Sequence, residues 1–233
     1  VQPRTPIPAD LENQFQLASD EAFFNRQRRA TSLFLKASRQ ADTIYRAVAL
    51  EQVDRLLDRL TSIAAGTIVY DGTEAWRIFY EKLLRSPGLY LYRSVACVRT
   101  AEYWQDEPGR KSMQVNFELI ERGTLVVERV VIIADDFWPA EDAWPREPIR
   151  GWLREQAVRG VDLKIARLSA LVSETDLAAD LGIYGSRALG VQDVDRQGHT
   201  VRFTLTFDFA RVVDAEARWE RLQVYAKSYT EHL

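Results

Sequence analysis

The strongest constraint on the fold is the apolar run LVVERVVIIA at residues 125–134. Apolar residues fill consecutive as well as alternate positions, which is typical of a strand that is buried on both faces of a sheet. A predicted helix at residues 110–122 precedes this run and ends at Gly123, and a predicted helix at residues 149–159 follows it and ends at Gly160. This alternation predicts an α/β fold with a mixed β-sheet flanked by helices.

The other elements follow from apolar periodicity and from turn signals at glycine and proline. We predict strands at residues 67–70, 89–98, 161–168, 181–184, 187–194 and 200–209, and helices at residues 74–85 and 210–229. Together they predict one α/β domain over residues 67–233, in which residues 130–133 form the most buried strand.

Residues 1–66 are predicted to be a Pro-rich lead-in and a helical extension. Three prolines fall within residues 1–9, whereas residues 10–65 contain neither Pro nor Gly. An N-cap is predicted at Asp10 or Asp20. Apolar residues then recur at helical spacing at Ile44, Val48, Leu50, Val53, Leu56, Leu57, Leu60 and Ile63. This face either packs on the following domain as core, or forms a stalk that dimerises or continues into sequence upstream.

Composition limits the partners and the location that we expect. The net charge of −3 provides no basic surface for nucleic acid and argues against that partner. The apolar runs fall far short of the ~20 residues of a membrane-spanning helix, so we expect no membrane insertion within this sequence. Cys97 is the only cysteine, which excludes an internal disulfide and favours a cytoplasmic location. The chain begins with Val1, and we expect it to be part of a longer protein.

The order of helices and strands over residues 73–230 resembles that of a known fold. Two crossover helices end in Arg-Gly, the strands read ERVVII and VDLKIAR, and an acidic connector leads into DLGIYGS at residues 180–186, a hairpin and a last helix. This order resembles one repeat of the phospholipase D-like fold. Members of that superfamily hydrolyse phosphodiesters through a histidine in the motif His-x-Lys, four residues, then Asp, followed by Gly-Ser-x-Asn. In this chain Asp180 stands near the motif aspartate, and residues 185–188 (GSRA) stand where Gly-Ser-x-Asn would.

The catalytic part of the motif is missing. Ser173 and Thr175 occupy the His and Lys positions, and Ala188 replaces the asparagine. The only histidines are His199 and His232, and neither has a lysine two residues on. The resemblance therefore implies the fold without the family's covalent phosphohistidine route. Because phospholipase D-like folds work as two pseudo-symmetric halves, it also implies a homodimer.

An acidic cluster is the first candidate site. Glu174, Asp176 and Asp180 follow the predicted strand at residues 161–168. Carboxylates at this spacing in a loop can hold Mg²⁺ or Ca²⁺, or act as an acid–base pair. The alternative is structural, because Asp and Glu also favour helix N-termini. A divalent metal is the one cofactor that this cluster suggests.

Aromatic loops and strand arginines are the second candidate site. Tyr103, Trp104 and Asp106 follow the first core strand, and Trp138 follows the second, at the sheet edge where ligands bind in open α/β folds. These aromatic residues either bind a planar ligand or a protein, or cover the ends of the sheet. Four arginines lie in or beside predicted strands, where they either pair with carboxylates or bind an anion: Arg93, Arg129, Arg167 and Arg187.

Taken together, these features favour a non-catalytic sensor, adaptor or oligomerisation module of a larger signalling or regulatory protein. Its expected partners are a second copy of the chain and a small anionic ligand or a protein. The alternative is a metal-assisted phosphodiesterase that uses the acidic cluster.

Overall fold

The computed structural model describes the chain as two units, residues 1–61 and residues 62–233. The described residues are Asn13, 16–71, 73–103, 107–140, 144–195 and 199–229, and within them the side chains of residues 73–75 and 108 are left aside. No helix among the described residues is both long enough and apolar enough to cross a membrane.

Two helices precede the sheet. Helix α1 spans Glu21–Ser38, and helix α2 spans Thr43–Ala64. Asp20 caps α1 by accepting a hydrogen bond from the backbone N–H of Phe23 at 3.1 Å, which confirms one of the two predicted caps. Asp10, the other, lies outside the described residues. Every residue of both helices is at least partly exposed in the single chain.

The second unit is built on one mixed sheet, as predicted. Eight strands among the described residues form it: β1 (Thr67–Asp71), β2 (Leu91–Val98), β3 (Val126–Ile133), β4 (Asp162–Arg167), β5 (Asp180–Tyr184), β6 (Ala188–Val194), β7 (Thr200–Thr206) and β8 (Lys227–Ser228). Their order across the sheet is β1-β7-β6-β5-β2-β3-β4-β8. Strands β2, β3 and β4 run parallel, and the other neighbours pair antiparallel. Residues 130–133 of β3 are at most 1% exposed, which confirms their predicted burial.

Helices cover both faces of this sheet. They are α3 (Thr73–Leu84), α4 (Glu107–Glu121), α5 (Ile149–Val158) and α6 (Phe209–Gln223). Helices α3, α4 and α5 pack over the face that carries Val127 and Val131, and α6 packs over the face that carries Val130 and Ile132. We call these the first and the second face. Alternate residues of every strand therefore enter different cores.

The C-terminal segment differs from the prediction of one long helix at residues 210–229. Helix α6 ends at Gln223, and the chain then forms β8, which pairs antiparallel with β4. The ammonium group of Lys227 lies 5.7 Å from the ring centre of Trp138 and 5.4 Å from that of Trp144. These cation–π contacts, together with the β4 ladder, hold the segment as a strand.

Candidate binding cleft

A small cleft lies beside the centre of β2. Ser94 and Ala96 of β2 form part of its floor, and Gly182 of β5 lies opposite Ser94 in the strand register. Small side chains at these positions leave space above the sheet. The cleft has a cavity volume of about 20 Å³, which is room for about one water molecule or one ligand oxygen, and it is lined by Tyr92, Ser94, Val95, Ala96, Tyr103, Arg129, Trp152, Leu181 and Gln192.

Arg129 is the dominant charge of this cleft. Its side chain rises from β3 next to Ser94, and the residue is only 5% exposed. The guanidinium Nε donates to Ser94 Oγ at 2.7 Å, and Nη1 donates to Gln156 Oε1 at 2.5 Å and contacts Met113 Sδ at 3.0 Å. No carboxylate of the described residues lies within ion-pair distance of it. The guanidinium is thus buried among neutral groups, which costs free energy unless an anion joins it.

The groups around Arg129 are held in place by further hydrogen bonds. Gln156 donates from Nε2 to the carbonyl oxygen of Trp152 at 3.3 Å, one turn earlier on α5. This bond aims the amide oxygen of Gln156 at the guanidinium. Ser94 accepts the bond from Nε, and its hydroxyl also interacts with that of Tyr92.

Tyr92 forms the wall of the cleft next to Gly182. A Cβ atom at position 182 would lie 2.7 Å from the Tyr92 hydroxyl oxygen and 2.8 Å from ring atom Cε2, so only glycine admits this ring. The Tyr92 ring packs against Tyr184 and Tyr80 at centroid distances of 5.0 and 5.7 Å. Burial raises the pKa of the Tyr92 hydroxyl, while the charge of Arg129 opposes that shift. Tyr92 therefore stays a neutral hydrogen-bond donor at physiological pH.

Asp180 is a second ionisable group, and it lies next to Tyr103, which lines the cleft. Its carboxylate accepts a hydrogen bond from the Tyr103 hydroxyl and another from the backbone N–H of Cys97 at 2.9 Å. Burial raises the pKa of Asp180 to about 6, against the lowering effect of these two hydrogen bonds. Burial also raises the pKa of the Cys97 thiol, which keeps it protonated and unreactive.

The structure brings together only some of the residues predicted from the sequence. Tyr103 lines the cleft. Trp138 instead packs at the end of β3, where its Nε1 donates to the carbonyl oxygen of Ile133 at 3.4 Å. Arg187 lies in the turn between β5 and β6, and it donates to Ser86 Oγ at 2.6 Å and to the carbonyl oxygen of Pro87 at 2.9 Å. Trp104 and Asp106 lie outside the described residues.

The three predicted metal ligands lie in two different places. Glu174 and Asp176 both pair with Arg221 of α6, at 3.2 and 2.5 Å, whereas Asp180 is buried against Tyr103. Within the described part of the chain, no three His, Cys, Asp or Glu side chains are arranged to hold a metal ion. Arg221 of α6 neutralises the carboxylates of Glu174 and Asp176, whereas Asp180 lies elsewhere.

Of the motif positions of the resemblance, Asp180 lies against Tyr103, whereas the Gly-Ser positions do not line the cleft. Gly185 adopts a φ of +52° in the tight turn between β5 and β6, and Ser186 beside it is exposed. His199 lies between β6 and β7, where its Nδ1 is 3.3 Å from Asp195 Oδ2. His232 lies outside the described residues.

Sequence reasoning left the role of Arg129 open and missed Gln156. Arg129 was expected either to pair with a carboxylate or to bind an anion, and its partners are a hydroxyl, an amide and a thioether. The available signal was an arginine inside the most apolar strand of the sequence. Gln156 carries no comparable signal, because a glutamine in a helix is usually exposed.

Comparisons with known proteins concern the fold. No protein-family model matches the chain, and no curated protein matches it. Solved structures do. The phospholipase D family member Nuc from Salmonella typhimurium has a TM-score of 0.49 and 11% identity, covering 71% of this chain and 99% of its own. NucT from Helicobacter pylori has a TM-score of 0.46 and 10% identity, covering 70% and 98%.

A third structure, phosphatidylserine synthase from Haemophilus influenzae Rd KW20, has a TM-score of 0.44 and 11% identity, covering 70% of this chain and 39% of its own. At these scores and identities the comparisons say nothing about which ligand or reaction this chain takes. The chain is similar in structure to a phospholipase D family member, the family whose order of elements its sequence resembles.

Proposed function

We propose that the α/β unit is a ligand-binding module that binds a small anion, a carboxylate or a phosphate, at the mouth of the cleft, with one of its oxygens beside Arg129. The observation that carries this proposal is the buried guanidinium with no carboxylate among its described partners. A bound anion would supply the missing countercharge in a site of low dielectric. The planar fork of arginine is suited to binding carboxylate and phosphate oxygens in pairs.

The free side of the guanidinium supports the same ligand class. The Nη2 group of Arg129 donates to none of the described residues, so its two hydrogens are available to an oxygen of the ligand. The Ser94 and Tyr92 hydroxyls interact with each other, and that of Tyr92 also with Tyr80 and Tyr184, so the proposal rests on the guanidinium. The cavity admits one oxygen of the anion, and the rest of the ligand stays at its mouth.

In this proposal the module binds its ligand and does not transform it. The hydroxyl closest to the guanidinium is that of Ser94, and a serine needs a base to become a nucleophile. His199, the only histidine of the described residues, is paired with Asp195 in a turn at the end of β6. A binding module of this kind would act as a sensor within a larger regulatory protein, as the sequence suggests.

Thermal unfolding with inorganic phosphate and with acetate as probes tests the proposal. We expect either anion to raise the melting temperature of the wild type, because a ligand that binds only the folded state stabilises it. Arg129→Met removes the charge but keeps the length of the side chain, and we expect it to abolish the shift. Arg187→Met, which removes an arginine from the β5–β6 turn, is the matched control and keeps the shift. Equal shifts in both variants, or none in the wild type, would disprove the site.

A further inference from the structure

A second cavity lies between the sheet and helix α6, and the proposed function does not use it. Strands β2, β3 and β4 contribute Arg93, Glu128 and Lys164 to one side of this cavity. Helix α6 contributes Trp219 and Gln223 to the other side. The volume is about 200 Å³, which is room for a ligand of about six non-hydrogen atoms. All of the lining residues belong to the α/β unit.

Charges of both signs line this cavity in equal number. The cationic residues are Arg93, Arg129 and Lys164, and the anionic residues are Glu128, Asp162 and Glu220. This lining disfavours a ligand of a single charge, because an anion meets the carboxylates and a cation meets the cationic groups. A zwitterion avoids both penalties, since each of its charges can lie beside an opposite one.

The arginine of β2 is already neutralised within the protein. Arg93 donates to Glu128 Oε2 at 2.7 Å and to a carboxylate oxygen of Glu216. Its guanidinium also lies 5.8 Å from the ring centre of Trp219, and Glu220 lies 3.9 Å from it. These contacts hold Arg93 in place and satisfy its charge, so it forms a wall of the cavity and leaves the binding of a ligand to other residues.

Two residues of β4 carry charges that the protein leaves unpaired. The ammonium group of Lys164 donates to Gln223 Oε1 at 2.7 Å, which is a neutral acceptor, and no described carboxylate lies within ion-pair distance of it. The side chain of Asp162 makes no hydrogen bond or ion pair with any described residue. Asp162 and Lys164 occupy alternate positions of β4 and therefore share a face of the sheet, yet they do not pair with each other.

Gln223 adds a buried donor to the same place. Its Oε1 accepts the hydrogen bond from Lys164, whereas its buried Nε2 donates to no residue in the described part of the chain. A buried N–H group without an acceptor costs free energy, and a ligand oxygen beside Lys164 would remove that cost. Lys164 and Gln223 thus offer hydrogen-bond donors to a carboxylate, and Asp162 offers an acceptor to an ammonium group.

We propose that this cavity binds a free α-amino acid with a small side chain, of about the size of alanine. The ligand carboxylate accepts hydrogen bonds from Lys164 Nζ and Gln223 Nε2, and the ligand ammonium group donates to Asp162. Lys164 has two further hydrogens after its bond to Gln223, so it can donate to both. The ring of Trp219, which also lines the cavity, provides apolar surface for the methyl group. The site is separate from the anion site proposed beside Arg129, because the ligand is held by other residues.

Calorimetric titration of the full chain with L-alanine tests the site. We expect saturable binding to the wild type, and an affinity lower by about tenfold or more in Asp162→Asn and in Lys164→Met, because each variant removes a charge that meets the ligand. Asp136→Asn and Lys82→Met, at exposed positions outside the cavity, are the matched controls and keep the wild-type affinity. Thermal unfolding verifies that all four variants are folded. No binding to the wild type, or binding that neither cavity variant weakens, would overturn the proposal.

Two fragments of alanine test whether the site needs both charges. Propionate lacks the ammonium group, ethylamine lacks the carboxylate, and we expect neither to displace alanine from the wild type. Propionate can still bind beside Arg129, and Asp162→Asn separates the two sites, because it weakens the binding of alanine and leaves that of propionate unchanged. Displacement of alanine by ethylamine would show a site for a simple cation, and displacement by propionate would show a site for a simple anion. Either result would overturn the zwitterion.

Discussion

The guanidinium Nε of Arg129 donates to the hydroxyl oxygen of Ser94 across adjacent strands at 2.7 Å, and both residues are 5% exposed. Strand register fixes this pair, because Ser94 and Arg129 are direct partners in the parallel ladder of β2 and β3. The serine thus holds in place the charge on which the proposed binding function depends, and it does so through the backbone of the sheet rather than through a loop.

Removing the Ser94 hydroxyl should weaken both the fold and the site. In Ser94→Ala the buried Nε of Arg129 loses its acceptor, and we expect the free energy of unfolding to fall by about 1–3 kcal/mol. Urea unfolding measures this loss. Ser186→Ala, in the exposed turn between β5 and β6, is the control and should change stability by less than about 0.5 kcal/mol. Equal stability of the two variants would mean that the Arg129–Ser94 bond contributes nothing.

Gly182 should be intolerant of any side chain as long as Tyr92 is present. The added Cβ of Gly182→Ala would lie 2.7–2.8 Å from Tyr92, so the ring must move, and we expect a loss of about 1–3 kcal/mol. Tyr92→Leu removes the ring atoms that cause the clash. The cost of Gly182→Ala should therefore be smaller in the Tyr92→Leu background, and a double-mutant cycle by urea unfolding measures the difference. Additive effects would contradict the close packing of these two residues.

The core of β3 gives a prediction about stability alone. Ile132 is 1% exposed, and Ile132→Ala should lower the free energy of unfolding by about 2–5 kcal/mol because it leaves a cavity. Val126→Ala on the same strand is the control, since Val126 is 56% exposed and should cost less than about 1 kcal/mol. Denaturant titration measures the free energy of unfolding of both variants. A loss under about 1 kcal/mol for Ile132→Ala would place this strand outside the core.

Much of the fold could be predicted because the pattern is local. The apolar run at residues 125–134 and the glycines that end the neighbouring helices are sequence signals with one structural meaning. The prediction failed at residues 224–229, where a helical pattern gave way to β8. Pairing with β4 and the contacts of Lys227 with two tryptophans decide that segment, and such long-range contacts cannot be seen from local periodicity.

The site was less predictable than the fold because it depends on which distant residues meet. Asp180 was grouped with Glu174 and Asp176 by proximity in sequence, but the chain turns Asp180 inward to Tyr103 and leaves the other two with Arg221. Tyr103 was predicted as a ligand residue from its place after a core strand, and the structure puts it in the cleft wall. Spacing along the chain shows which groups are present, and the sheet register shows which of them touch.

The burial of Asp180 should give the fold a measurable pH dependence. The pKa of Asp180 is raised to about 6 in the folded chain, whereas an unfolded aspartate has a pKa of about 3.9. Between these values the unfolded state binds fewer protons than the folded state, so the free energy of unfolding falls as the pH rises. This contribution to stability is fully present below about pH 4, is lost by about pH 6, and amounts to roughly 3 kcal/mol.

The substitution Asp180→Asn isolates this contribution, because an amide accepts the same two hydrogen bonds and does not titrate. We expect Asp180→Asn to gain stability relative to the wild type as the pH rises from about 4 to about 6, and the difference to stay constant above that range. Urea unfolding at several pH values measures it. Asp54→Asn, at an exposed position of α2, is the control for replacing a carboxylate by an amide. The stability difference between Asp180→Asn and the wild type could instead stay the same between about pH 4 and 6. That result would show that Asp180 titrates as it does in the unfolded chain, and that its contact with Tyr103 does not lie in a buried site.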